Sequence, residues 1–444
     1  MNRKFLYFFN KHQKKSLSLL FCFMFISTIL EMVGLGFIFS IIGTLGSTNI
    51  KNNLFVNKLS NFFELDKTEI FLYLLLVFLL FYIIKIVFLI FYNWYESNFL
   101  YSYKEYLSSK VFREYLNQNF SFFYNRNSSE FIRNLITEVD QFALYLFSFL
   151  KLALEIVVLV GIFFLLVYIN LYFTVLISLI FLSFSCLYFF LIKEKLNIWG
   201  VQRQSSIQKR IQFMQEGFDG IKIIKFLGRE NFFFNKFKTY NVNLSRVTIK
   251  THFFQGIPRL LFELVGISFA TFSLFILYYS GKNFIEIAQI LSVYVAASFR
   301  ILPSVNKIVT SLQYMKLGYP AINVLYDELK NFKKETQPSY EKFFFNTNII
   351  VDIKKFKYPN SNNFEISDIK LNILKGQKIG IIGPSGSGKS TVVEILTGIS
   401  DQPTGSITVD GKSIFSNMRG WQKLIGLVPQ KIFILDGSLR NNIL

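Results

Sequence analysis

The stretch KIGIIGPSGSGKSTVVEILTG, residues 378–398, decides the fold of one part of this chain. It fits the pattern G-x-x-x-x-G-K-[ST] at four positions: Gly383, Gly388, Lys389 and Ser390. The apolar run at residues 379–382 predicts a strand before the loop, and residues 391–396 predict the start of an amphipathic helix. A strand, a glycine-rich loop and a helix in this order predict an α/β domain.

The chemistry of this loop suits phosphate. Glycines permit a tight loop whose backbone N–H groups point inward, and the positive end of the helix dipole lies at the same spot. Lys389 can reach the β and γ phosphates, and the Ser390 hydroxyl can ligate Mg²⁺. We therefore predict an ATP and Mg²⁺ site formed by residues Gly383, Pro384, Ser385, Gly386, Ser387, Gly388, Lys389, Ser390 and Thr391. The flanking strand and helix disfavour a plain glycine-rich turn with a chance lysine.

Three features around this loop indicate the kind of nucleotide domain. Tyr358 lies upstream and can stack on adenine, although alone it is also an ordinary turn tyrosine. Downstream come PTGSITVDG at residues 403–411 and VPQ at residues 428–430. This ordered set closely resembles the nucleotide-binding domain of ABC transporters. The resemblance implies that Gln430 contacts Mg²⁺, together with Ser390, and couples the nucleotide site to a membrane domain.

The rest of the chain is strongly apolar. Of 444 residues, 52% are hydrophobic, 18% aromatic and only 17% charged, which indicates a membrane protein. A span needs about 20 apolar residues. The apolar runs predict a membrane domain at residues 1–330 with six spans, at residues 16–46, 69–95, 142–169, 171–192, 259–281 and 284–310.

The basic residues predict the orientation of these spans. Lys and Arg concentrate in residues 1–15 and 195–257, and basic loops stay on the cytoplasmic side. We expect a multi-pass protein of the cell inner membrane, with its N-terminus and nucleotide domain in the cytoplasm. Much of the net charge of +20 is then a topology signal, and a nucleic-acid partner is disfavoured because no single basic patch forms.

Segments outside the spans are mostly helix-compatible. Residues 95–140 and 193–257 contain few Gly or Pro, so the spans are expected to continue as two cytoplasmic hairpins. Their predicted tips are NSSEFIRNLITEVD at residues 127–140, with a helix cap at Ser128 or Ser129, and EGFDGIKIIKFLGRE at residues 216–230. Residues 52–65 could form an interfacial amphipathic helix or a packed loop.

The whole layout is similar to an ABC exporter half-transporter. Residues 331–342 are expected to form a polar linker, and residues 343–444 are expected to be the N-terminal part of a second, nucleotide-binding domain. The fold expected from the resemblance is an all-α, six-helix exporter membrane domain with long cytoplasmic extensions, followed by a partial α/β P-loop NTPase domain. It implies a homodimer with a second copy of the chain, and hairpin tips that act as coupling helices on the nucleotide-binding domains.

A narrower resemblance concerns the cargo. The first span with Glu31, the segment after it, GIKIIKFLGRE and ASFRILPSVNKI resemble the lipid-linked oligosaccharide flippase of bacterial N-glycosylation. Charges inside spans are costly and usually face a cavity or a partner. Lys85, Arg300 and Lys307 would suit a lipid pyrophosphate. Alternatively, Lys85 pairs with Glu31 or snorkels, and the other two lie near the cytoplasmic end of the sixth span.

Several motifs of the family do not occur in these 444 residues. They include the LSGGQ-type signature, a run of four apolar residues ending in Asp-Glu and the switch histidine. We therefore assign no catalytic residue and expect a C-terminally truncated chain that binds ATP without hydrolysing it. Two other functions stay open: an ABC exporter of drugs, peptides or lipid A, and a non-hydrolysing, membrane-anchored nucleotide-binding fragment. A membrane-attached P-loop kinase is disfavoured, because it has no use for Gln430.

Overall fold

The computed structural model describes most of the chain. The described residues are 3–46, 67–124, 126–169, 171–279, 284–332, 343–358, 365–430, 432 and 434–443. They form two compact units. The first unit consists of Met1–Phe112 and Ser128–Asn331, and the second of Arg113–Asn127 and Phe332–Leu444.

The first unit is helical. Its helices are α1 (Arg3–Leu6), α2 (Lys11–Gly46), α3 (Lys67–Leu116), α4 (Ser128–Arg133), α5 (Val139–Ile169), α6 (Leu171–Asp219), α7 (Ile221–Leu227), α8 (Glu230–Tyr279) and α9 (Phe284–Asn331). A π-helical turn, Asn134–Glu138, joins α4 to α5. Helix α3 has 50 residues, and at about 1.5 Å per residue it is much longer than the bilayer core. The predicted helical extension of the spans is confirmed.

Four segments of the described residues are long and apolar enough to cross a membrane: Lys11–Gly34, Leu72–Leu116, Ser128–Val167 and Thr174–Asp219. They overlap the first four predicted spans, at residues 16–46, 69–95, 142–169 and 171–192. The predicted division between spans three and four is confirmed, because α5 ends at Ile169 and α6 begins at Leu171. Predicted spans 259–281 and 284–310 overlap α8 and α9, but residues 280–283 lie outside the described part, so the count of six stays a prediction.

Helix α9 packs along α5, α6 and α8. Two glycines permit close approach at this interface. A Cβ atom at Gly200 would lie 2.9 Å from the carbonyl oxygen of Leu317, and one at Gly318 would lie 3.1 Å from that of Gln141. Small residues let helix backbones come close together, as is common in membrane proteins. Van der Waals contact between backbones therefore joins α9 to two of its neighbours.

The two hairpin tips have different outcomes. The predicted tip at residues 127–140 is wrong: the chain reverses before it, through a 3-10 turn at Phe120–Phe123. Residues 128–140 instead form α4, the π-helical turn and the start of α5, because Ser128 begins a helix that continues with no Gly or Pro. The predicted second tip, at residues 216–230, is confirmed. It forms α7, and the residue that caps its C-terminus, Gly228, has the left-handed φ of 61° that favours glycine.

Two other predictions fall mainly outside the described residues. The interfacial helix at residues 52–65 lies wholly outside them, and so do residues 333–342 of the predicted linker. Helix α9 continues to Asn331, one residue beyond the predicted end of the membrane domain.

The second unit contains a four-stranded antiparallel sheet in the order β2-β1-β3-β4. Its elements are β1 (Asn348–Phe356), β2 (Ile366–Leu374), α10 (Lys389–Leu396), β3 (Thr404–Val409), β4 (Lys412–Ser413), α11 (Met418–Gln422) and α12 (Leu439–Ile443). The core joins the inner faces of β1 and β3 to α10 through Val392 and Ile395. Trp421 of α11 is buried in the same core and donates its indole N–H to the Leu396 carbonyl at 2.8 Å.

The strand predicted at residues 379–382 is not formed. This segment has no assigned strand, and Ile382 is 96% exposed. An apolar run sets only a preference, because a strand also needs a neighbour that accepts its backbone hydrogen bonds. None of the four strands in the described part of the second unit pairs with this run. The loop and helix that follow form as predicted.

Candidate nucleotide site and span charge cluster

The glycine-rich loop owes its shape to two residues. Gly386 and Gly388 have φ values of 83° and 91°, in the left-handed region where a side chain would be strained. Gly388 is also the N-cap of α10, and its carbonyl accepts the hydrogen bond from the Val392 amide at 2.9 Å. The loop therefore delivers Lys389 at the first position of a helix, as the sequence pattern predicts.

Lys389 turns back onto its own loop. Its Nζ donates to the Gly383 carbonyl at 2.9 Å and to the Pro384 carbonyl at 2.7 Å. Both acceptors are neutral, so a phosphate oxygen would offer this ammonium a stronger, charge-assisted bond. The side chain of Ser390 is exposed beside it, and Thr391 is buried. These residues fit a nucleotide phosphate chain, with Ser390 as the candidate Mg²⁺ ligand.

Gln430 lies in a different local setting. It is exposed in the segment 426–430, which forms neither helix nor strand. Its predicted contact with Mg²⁺ and with the membrane domain stays a prediction. The remaining loop residues, Ser385 and Ser387, are exposed, and the Ser387 amide donates to the Pro384 carbonyl at 3.3 Å.

Tyr358 is held by helix α10. Its hydroxyl lies 2.8 Å from Glu394 Oε2 and 2.9 Å from Thr391 Oγ1, so it donates to the carboxylate and accepts from the threonine. Its ring meets Phe356 edge-on at 5.1 Å between centroids. Burial raises the pKa of the Tyr358 hydroxyl above its usual range, with the Glu394 charge adding to the effect. The ring is anchored next to the phosphate loop, and its stacking on adenine stays a prediction.

Glu394 also binds a residue from a distant part of the sequence. Tyr124 belongs to the segment Arg113–Asn127, which is part of the second unit. The Tyr124 hydroxyl donates to Glu394 Oε2 at 3.1 Å, and the Ser400 hydroxyl donates to the same oxygen at 3.3 Å. Neither Tyr124 nor Glu394 was among the predicted site residues. An acidic residue on the helix that follows the loop was the available signal for Glu394.

The PTGSITVDG motif has a structural role in the sheet. Gly405 has a φ of 129°, and a Cβ atom there would lie 2.0 Å from the Asp352 carbonyl oxygen. Asp410 accepts bonds from three backbone amides at the start of β1: Asn346 at 2.6 Å, Thr347 at 2.8 Å and Asn348 at 3.0 Å. Hydrogen bonds from Thr347 and from these amides hold the pKa of Asp410 well below its usual range.

The charged residues predicted inside the spans form one cluster, which we call the span charge cluster. Lys85 Nζ lies 2.8 Å from Glu31 Oε2, and Arg300 contacts the other oxygen of Glu31. The pairing of Lys85 with Glu31, one of the two interpretations above, is therefore confirmed as a contact. All four predicted residues come together here.

A fifth member, Glu155, was missed. Its carboxylate lies 2.8 Å from Lys307 Nζ and 3.4 Å from Arg300 Nη1, and the Ser304 hydroxyl donates to it at 2.7 Å. Glu155 is only 1% exposed, whereas the side chain of Lys307 is 52% exposed. The signal for it was present, because Glu155 is a carboxylate inside predicted span 142–169. The cluster contains three basic and two acidic side chains.

The spans contain a second, separate ion pair. Lys151 Nζ lies 2.8 Å from Glu96 Oε2, and Glu96 is buried. An apolar cavity of 390 Å³ lies between α5, α6 and α9. Its lining includes Leu159, Phe163, Phe181, Phe189, Ile301 and Val305.

Two family models match this chain. Residues 17–302 match the model described as the ABC transporter transmembrane region, which is more than half of the chain. Residues 366–442 match the model described as ABC transporter. The chain belongs to the ABC transporter family. The first matched range covers most of the helical unit of this ABC transporter chain, and the second includes its phosphate loop.

Similar proteins carry related descriptions. The "Multidrug resistance-like ATP-binding protein MdlA" of Buchnera aphidicola is 25% identical over 54% of this chain and 42% of its own length. The "Probable multidrug resistance ABC transporter ATP-binding/permease protein YheI" of Bacillus subtilis is 25% identical over 52% of this chain and 40% of its own length. The "Uncharacterized ABC transporter ATP-binding protein YwjA" of Bacillus subtilis is 40% identical over 20% of this chain and 15% of its own length.

These comparisons fit an exporter that combines a transmembrane region with an ATP-binding domain. The chain spans 15% to 42% of the length of these relatives. Two of these relatives are described by multidrug resistance and one as uncharacterised, so the narrower flippase resemblance stays a prediction.

Proposed function

We propose that this ABC transporter chain provides the membrane domain and nucleotide-binding part of an ATP-driven exporter that works as a homodimer. One observation carries the proposal. The glycine-rich loop places Lys389 at the N-terminus of α10, where its acceptors among the described residues are two neutral carbonyls, in a chain whose other unit has helices that can span a bilayer.

The residues of the chain bind and orient the nucleotide. Backbone amides of the glycine-rich loop and of the N-terminal end of α10 bind the phosphates, and Lys389 binds oxygens of the β and γ phosphates. Ser390 and Gln430 are the candidate ligands of Mg²⁺, which would supply positive charge next to the phosphate oxygens when bound. Because no run of four apolar residues followed by Asp-Glu occurs in these 444 residues, we assign no general base, and we propose that the chain alone holds ATP without hydrolysing it.

The second hairpin tip supports a dimer. Phe226 of α7 is 88% exposed, and Phe218 and Ile223 beside it are exposed as well. Large apolar side chains grouped at a helical tip usually indicate an interaction site. We propose that the nucleotide-binding domain of a second copy covers them, so that the tip acts as a coupling helix.

For the cargo, we propose a lipid-linked oligosaccharide or another polyprenyl-pyrophosphate glycan. The span charge cluster supports this proposal, because its two carboxylates leave one basic charge in excess. Lys307 is half exposed and can reach a ligand, while Glu155 holds it in place. A pyrophosphate would compete with Glu155 for Lys307 and Arg300 through strong charge-assisted bonds.

A second candidate cargo is a drug-like apolar molecule, with peptides and lipid A in the same class of alternatives. Two of the relatives are described by multidrug resistance, and the 390 Å³ apolar cavity between α5, α6 and α9 would accept a hydrocarbon group. In this case the charge cluster would only stabilise the spans.

The test measures ATP-dependent translocation of a polyprenyl-pyrophosphate glycan by the complete protein in proteoliposomes. We expect Arg300→Gln and Lys307→Gln each to reduce translocation by about tenfold or more, because each removes a charge-assisted contact. Lys151→Gln is the matched control, since it breaks a different buried ion pair in the spans. Equal loss in all three variants, or translocation of a drug but not of the glycan, would contradict the glycan proposal.

A further inference from the structure

One carboxylate oxygen gathers three hydroxyl groups in the second unit. Glu394 Oε2 lies 2.8 Å from the Tyr358 hydroxyl, 3.1 Å from the Tyr124 hydroxyl and 3.3 Å from the Ser400 hydroxyl. The rings of Tyr124 and Tyr358 also meet edge-on, with 4.9 Å between their centroids. When several donors bind the same oxygen, a shift of one of these groups affects the hydrogen bonds of the others.

The donors come from different parts of the protein. Tyr358 follows β1 and is the predicted adenine-stacking residue. Tyr124 lies at the reversal of the first cytoplasmic hairpin, directly after the 3-10 turn Phe120–Phe123. Glu394 is on α10, the helix that starts at Lys389, and shares a helix face with Thr391 three residues earlier. Glu394 therefore lies between the nucleotide site and the hairpin tip.

We propose that Glu394 is a positioning residue that couples the adenine site to the first hairpin tip. The proposal rests on the nucleotide-binding function proposed above. Glu394 holds the Tyr358 ring in the orientation that receives the base, and Tyr124 holds Glu394. The coupling is reciprocal: if the tip contact favours nucleotide binding, then bound nucleotide favours the tip contact by the same factor.

Both phenols are suited to donate. Burial raises the pKa of the Tyr124 hydroxyl and that of the Tyr358 hydroxyl above their usual range, so both stay protonated near neutral pH. A hydrogen bond to an ionised acceptor is stronger than one between neutral groups.

The same segment offers a matched control. The Ser121 hydroxyl donates to Asp401 Oδ1 at 3.0 Å. This contact also joins the tip to the nucleotide-binding part, and it ends on a carboxylate, but it does not involve Glu394. Loss of the Ser121 bond removes a tip contact that does not reach Glu394, whereas loss of the Tyr124 hydroxyl acts on Glu394 directly.

The first experiment measures equilibrium binding of a fluorescent ATP analogue to the full chain in lipid nanodiscs. Tyr124→Phe removes one hydroxyl and leaves the domain core untouched, and we expect it to weaken binding about threefold. We expect Glu394→Gln to weaken binding about tenfold and Ser121→Ala to leave it unchanged. Unchanged binding in Tyr124→Phe, or equal weakening in Ser121→Ala, would overturn the proposal.

The second experiment follows amide hydrogen exchange of residues 117–124 with and without saturating ATP. We expect ATP to slow exchange in the wild-type chain and in Ser121→Ala, but not in Glu394→Gln or Tyr124→Phe. A merely structural role for Glu394 would leave the ATP response intact, and that result overturns the coupling. If Lys389→Ala binds ATP like the wild type, the nucleotide site itself is wrong. By contrast, if ATP slows exchange in Tyr124→Phe as in the wild type, the proposed coupling is wrong and the nucleotide site is not affected.

Discussion

The span charge cluster and the phosphate loop both contain basic side chains, but these basic groups have different partners. In the cluster, Lys85, Arg300 and Lys307 each contact a carboxylate. In the loop, the acceptors of Lys389 within the described residues are two neutral carbonyls. A phosphate can therefore bind at the loop without displacing a charge, whereas an anion at the cluster must compete with Glu155. The loop can bind a phosphate without losing an ion pair, whereas the basic groups of the cluster are already paired with carboxylates.

Among the variants that test this difference, Glu155→Gln is expected to have the largest effect on stability. The variant leaves Arg300 without one of its two carboxylates and Lys307 without a charged partner, and losing one member of a buried ion pair costs about 3 kcal/mol. We expect a lower thermal unfolding temperature of the chain in detergent. Glu194→Gln, at an exposed position, serves as the control.

The same variant also tests whether an anionic lipid competes with Glu155. If Glu155 competes with an anionic cargo, a polyprenyl pyrophosphate should raise the unfolding temperature of Glu155→Gln more than that of the wild-type chain. An equal shift in both chains would mean that the lipid does not compete with Glu155.

A smaller effect is expected for Gly388→Ala in the loop. The φ of 91° at Gly388 is in the left-handed region, where a residue with a Cβ costs about 1 to 2 kcal/mol. We expect modest destabilisation of the second unit and weaker ATP binding, measured by thermal unfolding and by fluorescence titration. Gly380→Ala is a suitable control, because a Cβ atom there meets nothing within 4 Å. Identical behaviour of the two variants would argue against a strained loop.

The smallest effect concerns Asp410 and the pH. Its pKa is lower in the folded protein than in the unfolded chain, so it stabilises the fold above its unfolded value of about 4. This contribution is lost as the pH falls through the lower, folded pKa. We expect Asp410→Asn to be less stable than the wild type at neutral pH, with the difference shrinking in acid. A difference that stays constant from neutral to acid pH would show that the charge of Asp410 has no part in it.

Local patterns were sufficient to predict much of this molecule. The left-handed loop, helix α10 and the helical extensions follow from residues close together in sequence, namely glycines at fixed offsets and long stretches without Gly or Pro. The charged residues of the spans were recognisable because charge in a span is costly. Glu155 met the same criterion and was overlooked.

What could not be predicted depends on distant partners. The strand at residues 379–382 has the right composition, but whether it forms depends on pairing with another strand. The first tip was placed too late because a helix cap at Ser128 marks where a helix begins, and the reversal lies before it. The contact of Tyr124 with Glu394 joins positions 270 residues apart, which no local pattern could predict.

The most direct test of this account is equilibrium binding of ATP to the full chain and to Lys389→Ala, with Lys378→Ala as a control at an exposed lysine just before the loop. Lys389 supplies charge-assisted bonds to two phosphates, so we predict that its loss weakens binding by about 100-fold, while Lys378→Ala binds like the wild type. Equal affinities of the wild-type chain and Lys389→Ala would contradict a nucleotide site at this loop and, with it, the proposal of an ATP-driven exporter.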